Sequence, residues 1–543
     1  MKNNRIPKDG FEGLKQNFSS DAVSGFLVFL LALPLSLGIA GASDFPPIYG
    51  LVTAMIGGLI VSLFAGSPLT IKGPAAGLIV IVAGAVSEFG TFAPSGSTPE
   101  QISSFGWHLT LGAVVIAGVL QVLFGFLKLG ALGEFFPLSA VHGMLAAIGI
   151  IIISKQLHVL VGMNPTTQDG KPMVEPLELL LELKNTCSNL FEHKEVAIIG
   201  FVSLIIVFGW PMLPFKKLKK LPSALVVLVV SIPLSIYLGL HDTSKFKPLL
   251  DFNEGLIEVL GVNVSFEGLS YIAVFIKFVV MFALVGSLEA LLTVKAIDMQ
   301  DPYRRKSDSN RDLIAVGIGN VVSGIIGGLP MISEVARSSA NVANGGKTRW
   351  ANFFHGFFML LFLLFAVSFS EMIPKAALAA MLIGVGWKLA HPREFGHMAK
   401  IGLDQVAVFI LTIIVTLLSD LLVGIAAGIL LKIILHLFRG VSLKSLFNAN
   451  CSVDGNTVHV QGAAIFSNFI KVRKQLLNFT YTSNVIFDVR DCHFVDHTVI
   501  ESLHHLKDDF NSAGGTLTIL GLEEFKNIRG SKHLMSAKRK KRN

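Results

Sequence analysis

Gly66-Ser67-Pro68-Leu69-Thr70-Ile71-Lys72-Gly73-Pro74-Ala75-Ala76-Gly77 leads into the third long apolar segment of this chain, and Gly327-Gly328-Leu329-Pro330 leads into the tenth. The apolar stretches that follow, near 74–88 and 331–344, are too short to cross a bilayer as full helices, which takes about 20 residues. Short, Gly/Pro-interrupted segments at matching places in two halves point to inverted repeats with a binding site at the membrane midplane. A helix that starts inside the membrane turns free backbone N–H groups and its positive dipole end into the protein. Two such ends facing each other form a small electropositive cavity suited to an anion. Tight helix packing through small residues is the competing explanation.

Around these breaks, apolar segments recur near 22–40, 48–65, 74–88, 106–127, 134–153, 195–214 and 222–240. A second set lies near 268–293, 313–329, 331–344, 351–370, 374–390, 403–420 and 422–438. The expected fold is an all-α polytopic membrane domain of about 14 spans in two inverted repeats of about seven. Composition agrees. Of 543 residues, 52% are hydrophobic and only 15% charged, where a soluble domain carries about a quarter charged. A soluble multidomain enzyme and a disordered chain are both excluded for most of the length. Phe (41) far outnumbers Tyr (5) and Trp (4), which suits hydrocarbon. Cys187, Cys451 and Cys492 have neither metal nor disulfide spacing.

The net charge of +8 would suggest nucleic acid in a soluble protein, but in a membrane protein the position of the cations decides. With the N-terminus in the cytoplasm, the inside loops hold Lys216, Lys217, Lys219 and Lys220, then Arg304, Arg305, Lys306 and Arg311, then Lys347, Arg349, Arg393 and Lys400. The short outside loops Gly41–Pro47 and Phe89–Phe105 hold no Lys or Arg; the longer ones hold Lys171, Lys184, Lys194, Lys245 and Lys247. The expected location is the cell membrane, multi-pass, with no nucleic-acid partner.

The division expected is a cytoplasmic segment 1–21, a transport domain 22–440 (repeats 22–240 and 268–440), a soluble α/β domain 447–530 and a basic tail 531–543. In the soluble part, Val458–Ile465, Asn484–Asp488 and Thr516–Leu520 read as strands, and Ser467–Asn478 and Thr498–Ala513 as amphipathic helices. The run Lys538-Arg539-Lys540-Lys541-Arg542 reads as a solvated basic end, with anionic lipid as its alternative partner.

Gly73-Pro74-Ala75-Ala76-Gly77 is expected to open the first half-helix, with Pro74 in its first turn. Ile332 to Asn341 is expected to form the second. An arginine at membrane depth, such as Arg337, is usually functional or paired; it either attracts an anion or pairs with Glu334 or Glu289. Glu289, inside an apolar span, either couples protons and faces substrate or neutralises Arg337. Lys72 is an anion attractor or a cytoplasmic-edge charge. His108, His142 and His355 have no ligand spacing and read as packing residues. Gly345-Gly346-Lys347-Thr348 resembles the end of a phosphate loop, but Asn341 stands where that loop needs glycine. Gly317-Ile318-Gly319 has Val322 in place of the third glycine of a dinucleotide fingerprint. Neither supports nucleotide binding.

At these residues the chain resembles the SulP/SLC26 anion transporter family over nearly its whole length. The carrying stretches are Asp21-Ala22-Val23-Ser24-Gly25 with Leu33-Pro34, Phe45-Pro46-Pro47-Ile48-Tyr49-Gly50-Leu51, Ile71-Lys72-Gly73-Pro74, Asp298-Met299-Gln300-Asp301-Pro302-Tyr303, Ala336-Arg337-Ser338-Ser339-Ala340-Asn341 and Gly345-Gly346-Lys347-Thr348. The C-terminal part resembles a STAS domain, with Val485-Ile486-Phe487-Asp488 as its strand and Phe494-Val495-Asp496-His497-Thr498 as its ligand or phosphorylation loop. The resemblance implies core and gate domains, a homodimer, and an elevator-like movement. It implies an anion seat between Ala75, Ala76 and Gly77 on one side and Ala336, Arg337 and Ser338 on the other, lined by Leu35 and Ile39. Many relatives carry a polar residue at Leu35 and a serine at Ala336, so backbone N–H groups would bind more of the anion here. Relatives phosphorylated in the STAS loop read Asp-Ser-Ser/Thr; Thr498 would be the regulatory residue. The implied function is secondary active transport of a small inorganic anion, sulfate first, then bicarbonate, then a C4-dicarboxylate. A nucleobase–proton symporter of the same architecture and a non-transporting sensor are the alternatives. No catalytic residue, metal or cofactor is expected. Coupling to Na⁺ or H⁺, exchange and uniport are all compatible with the sequence, and the STAS domain is a candidate surface for a cytoplasmic partner.

Overall fold

The computed structural model describes residues 6–130, 137–165, 173, 175–189, 192–214, 221–240, 259, 261–419, 421–527 and 537–539. The cations expected at 171, 216–220, 245 and 247, the first residues of the segment near 134–153, residues 528–530 of the soluble domain, and residues 531–536 and 540–543 of the basic tail lie outside these. The first helices are α1 (Gly10–Ala42), α2 (Ile48–Ile56), α3 (Ile79–Gly90), α4 (Pro99–Phe126), α5 (Leu138–Leu160), α6 (Pro176–Ser188), α7 (Lys194–Gly209) and α8 (Ser223–Tyr237). The second half holds α9 (Ile272–Gln300), α10 (Ser309–Ile326), α11 (Val335–Ala343), α12 (Trp350–Phe365), α13 (Lys375–Leu389), α14 (Pro392–Ile401), α15 (Leu403–Leu418) and α16 (Leu421–Phe438). Six helices, counting only described residues, are long and apolar enough to span a membrane, and five more are shorter and apolar. Every expected apolar segment contains a helix. The amphipathic α6 and α14 were not anticipated.

Local signals explain the helix ends. Asp9 caps α1 through Gly10 N–H, so the helix starts well before the expected boundary at residue 21. Thr98 and Gln101 form a reciprocal capping box on α4, with Pro99 in its first turn. α10 stops at Gly327, which takes φ 118°, a left-handed conformation that glycine adopts without a Cβ penalty.

The two Gly/Pro breaks do not open straight into helix. Ile71–Pro74 (β1) and Met331–Glu334 (β2) pair as a two-stranded antiparallel ribbon, in register Ile71↔Glu334, Lys72↔Ser333, Gly73↔Ile332 and Pro74↔Met331. This corrects the expectation for Pro74, which ends a strand, and for Ile332–Glu334, which are strand rather than helix. In a bilayer every backbone polar group needs an internal partner; each broken segment supplies the other's. The first half-helix then begins with a 3₁₀ turn at Ala76–Leu78 and continues as α3, while α11 follows β2 directly.

The chain divides into two compact units, residues 1–130 with 148–389, and residues 131–147 with 390–543. The second contains α14, α15, α16 and the C-terminal α/β part. That part comprises β3 (Asn450–Asp454), β4 (Thr457–Ala464), α17 (Phe469–Leu477), β5 (Asn484–Val495), α18 (His497–Ala513), β6 (Thr516–Leu520), β7 (Phe525–Asn527) and β8 (Ala537–Arg539). The sheet runs β3-β4-β5-β8-β7, with β6 also on β5. β4–β5 and β5–β6 are parallel, and the other pairs are antiparallel. Val458, Phe487, Val489, Val499, Leu503 and Phe510 are buried in its core. Lys538 and Arg539, read from sequence as a solvated tail, belong to β8.

Candidate functional site

The first unit holds the expected anion-site residues around the ribbon. α1, which carries the buried Leu35 and Ile39, packs against β1, α3 and α11, and α9, which carries Glu289, packs against β2, α3 and α11. The ribbon is pinned from several sides. Asn320 accepts Met331 N–H at 2.6 Å and donates to Met331 O and Gln121 Oε1. Asn341 donates to Leu69 O at 2.8 Å and accepts from Ser24 Oγ. Ser338 accepts Ile71 N–H at 2.9 Å and donates to Glu334 O. Both of the hydroxyl's bonds therefore go to backbone, which makes Ser338 a clasp between β1 and α11.

Arg337 is fully buried in the first turn of α11, and its guanidinium lies so close to Gly73 that a Cβ there would collide with Nη1. Its Nε is 3.5 Å from Glu334 Oε2, yet none of its three guanidinium nitrogens has a hydrogen-bond partner. Of its two anticipated acidic partners, Glu334 is the one at ion-pair distance; no described contact pairs it with Glu289. The Glu289 carboxylate lies instead against Gly77, where any Cβ would overlap it, and its Oε1 has no hydrogen-bond partner. Glycine at 77 is thus required by the approach of Glu289 to the start of the first half-helix. The Glu334 carboxylate accepts Ala76 N–H at 3.3 Å. Ala75 donates its N–H to Pro330 O. His355, also fully buried, has both ring nitrogens without partners. Ala336 is exposed and Ala76 half-buried, so the helix starts beside the buried Arg337 are open on one side.

Buried charge without hydrogen bonds is costly, several kcal/mol for an isolated group. Among the described residues it occurs at Arg337 and Glu289, beside the two half-helix starts, and again at Lys432 and Asp496 in the second unit; only the first pair adjoins half-helix starts, where a further polar occupant would find free backbone donors. Residues missed from sequence are Glu334 as a bridge and Gly73 as the floor under the guanidinium. The bridging role of Glu334 had no local signal.

Two other charged motifs resolve differently. Lys72 is fully buried and bonded to Asp312 at 2.9 Å and to Thr70. Asp312 also accepts from Ser333 Oγ at 3.0 Å and Ser67 N–H at 3.2 Å. Lys72 is neither an anion attractor nor an edge charge; it ties β1 to α10. The Gly345-Gly346-Lys347-Thr348 turn does cradle an anion, an internal one: Asp21 accepts Lys347 N–H at 2.7 Å, Thr348 N–H at 3.2 Å and Thr348 Oγ1 at 2.5 Å.

In the second unit, Asp496 starts α18 and accepts His497 N–H. It is fully buried, with Lys432 Nζ at 2.9 Å and His436 Nε2 at 3.5 Å, both from α16. Burial alone would raise the Asp496 carboxyl, but the adjacent charges of Lys432 and His436 hold it well below the usual carboxylate range. His436 packs on Phe466 and Phe494, and Arg439 lies over Phe494 while bonding Asp404. Thr498 is only 5% exposed beside this joint.

The sequence profile of the sulfate permease family matches residues 18–414, and that of the STAS domain matches residues 449–525. A relative named putative sulfate transporter YvdB, from Bacillus subtilis, is 25% identical over 528 residues, covering 94% of this chain and 92% of the relative. Bicarbonate transporter BicA from Picosynechococcus is 28% identical over 408 residues, covering 74% of this chain and 68% of the relative. Among solved structures, that of SLC26A9 aligns with a TM-score of 0.69 at 15% identity, covering 93% of this chain and 84% of that one. It supports the fold alone.

Proposed function

The chain belongs to the sulfate permease family, a family of multi-pass membrane anion transporters and not of enzymes, and from that premise we propose that it carries a small inorganic anion by secondary active transport. Sulfate is the first substrate proposed and bicarbonate the second. The observation that carries the proposal is Arg337, fully buried between the two half-helix starts with no hydrogen bond on any guanidinium nitrogen. An oxyanion supplies the acceptors that this group lacks.

Electrostatics supports coupling to a cation. Glu334 pairs with Arg337 and Glu289 lies at Gly77, so with all three ionised the two half-helix starts carry one net negative charge before substrate arrives. A dianion such as sulfate entering there meets repulsion that is strong at low dielectric. Co-transport of H⁺ or Na⁺ removes it, and Glu289, with an unbonded oxygen at Gly77, is the group proposed to take that cation. The proposed mechanism is elevator-like movement in a homodimer, with the N-terminus and STAS domain in the cytoplasm.

The test is uptake of radiolabelled sulfate and bicarbonate into one proteoliposome preparation, with and without Na⁺ and pH gradients. Uptake driven by one gradient and lost in Arg337→Ala and Glu289→Gln is expected. Full-rate uptake by both variants would sink the site assignment.

A further inference from the structure

Glu334 is the N-cap residue of α11, where a side-chain oxygen is placed to accept from the first N–H groups of its own helix. Its side chain makes no bond to the N–H groups of α11. The carboxylate instead spans the gap between the half-helices, with Oε1 3.3 Å from Ala76 N and Oε2 3.5 Å from Arg337 Nε. One backbone donor of the first half-helix and the guanidinium of the second therefore meet on a single internal carboxylate. These are the donors an incoming anion would use.

We infer that Glu334 is a tethered anion that occupies the substrate seat and is displaced when substrate binds. This inference rests on the transport function proposed above. Three features fit displacement. Both contacts are long for charge-assisted bonds, so little is lost on breaking them. The adjacent Val335 is 50% exposed and Ala336 is exposed, which gives the side chain open space to swing into. The Glu334 backbone is held independently, through Ser338 Oγ and its pairing with Ile71, so the carboxylate can leave while the ribbon stays. Glu289 does not fill this role, because its carboxylate bonds neither donor.

A tethered competitor acts at a high effective concentration, in the millimolar range or above, and lowers apparent affinity for substrate. It balances the charge of Arg337 between turnovers. It also rejects anions that bind no better than a carboxylate does, so it sets specificity as well as affinity.

The experiment compares KM for sulfate and for bicarbonate in wild-type, Glu334→Gln and Glu334→Ser protein in proteoliposomes, with size-exclusion profiles checking the fold. Formate serves as a probe for the carboxylate seat. KM falling about tenfold in either variant, together with new competitive inhibition by formate in Glu334→Ser, is expected. A raised KM with no formate effect means that Glu334 only holds Arg337 in place and overturns the inference. Should Glu334→Gln fail to fold, Glu334→Ser and Glu334→Asp, whose shorter carboxylate falls short of Ala76, carry the same comparison. If the wild type transports both anions and Arg337→Ala does not, while KM is unmoved in the Glu334 variants, this inference fails and the transport function stands. Wild-type protein that transports neither anion overturns the transport function itself.

Discussion

The β1–β2 ribbon lies among two buried charge clusters, and they are built in opposite ways. In one, Lys72 and Asp312 close on each other with Ser333, Ser67 and Thr70 filling the remaining positions. In the other, Arg337 has an ion-pair contact without a hydrogen bond and Glu289 keeps an unbonded oxygen. Both pay for burial of charge, but only the first recovers the cost within the protein. A saturated cluster is a fastener; an unsaturated one of the same depth has capacity left for a ligand. Burial of an arginine or lysine in a membrane segment therefore does not by itself identify a site; its bonds and its place beside the half-helix starts must be read together, since Lys432 also lacks a hydrogen bond but closes on Asp496 at 2.9 Å.

The largest expected effect tests the fastener. Asp312→Ala leaves Lys72 buried and unpaired and should cost about 3–5 kcal/mol, read as a lower unfolding midpoint in detergent. The double variant Lys72→Met/Asp312→Leu should recover most of it. A single variant as stable as wild type would break the contrast. Next is the unsaturated side. Arg337→Ala should lower sulfate uptake by about 10- to 100-fold, the loss of one or two charge-assisted bonds to substrate, and leave the unfolding midpoint unchanged or higher. A fall in stability like that of Asp312→Ala would make Arg337 a fastener too.

Asp21→Ala strips the Lys347–Thr348 turn of its internal anion and should cost about 1–3 kcal/mol, measured by the same melt. The smallest effect is acid-dependent. Asp496 titrates below its unfolded value of 3.8, so its contribution to stability is present above about pH 4 and lost as pH falls through the folded value. The melting temperature followed from pH 5 to pH 3 should decline less steeply in Asp496→Asn than in wild type. Equal slopes would remove the α16–α18 joint from the account.

Much of this was legible in the sequence where the signal is local. The Gly/Pro breaks at 66–74 and 327–330 marked the short segments, because those residues interrupt helices wherever they stand. The ribbon was not legible. Ile-Lys-Gly-Pro and Met-Ile-Ser-Glu are four residues each and buried throughout, so neither shows strand alternation. Arg337, Glu289 and Gly77 were identifiable as charges and a small residue at membrane depth. The roles of Lys72 and Glu334 were not, since their partners lie 240 and 258 residues away. β5 runs on to Val495, past the strand end expected at Asp488, because exposed Arg490, Asp491 and His493 hide its buried positions.

On the proposed function, the unsaturated cluster carries the anion and the saturated one carries the fold. Initial rates of radiolabelled sulfate and bicarbonate uptake in Arg337→Ala and in Lys72→Met/Asp312→Leu, reconstituted side by side from monodisperse protein, test it most directly. The double variant should transport and the arginine variant should not. Transport by Arg337→Ala at the wild-type rate, with loss of transport in the folded double variant, would contradict it.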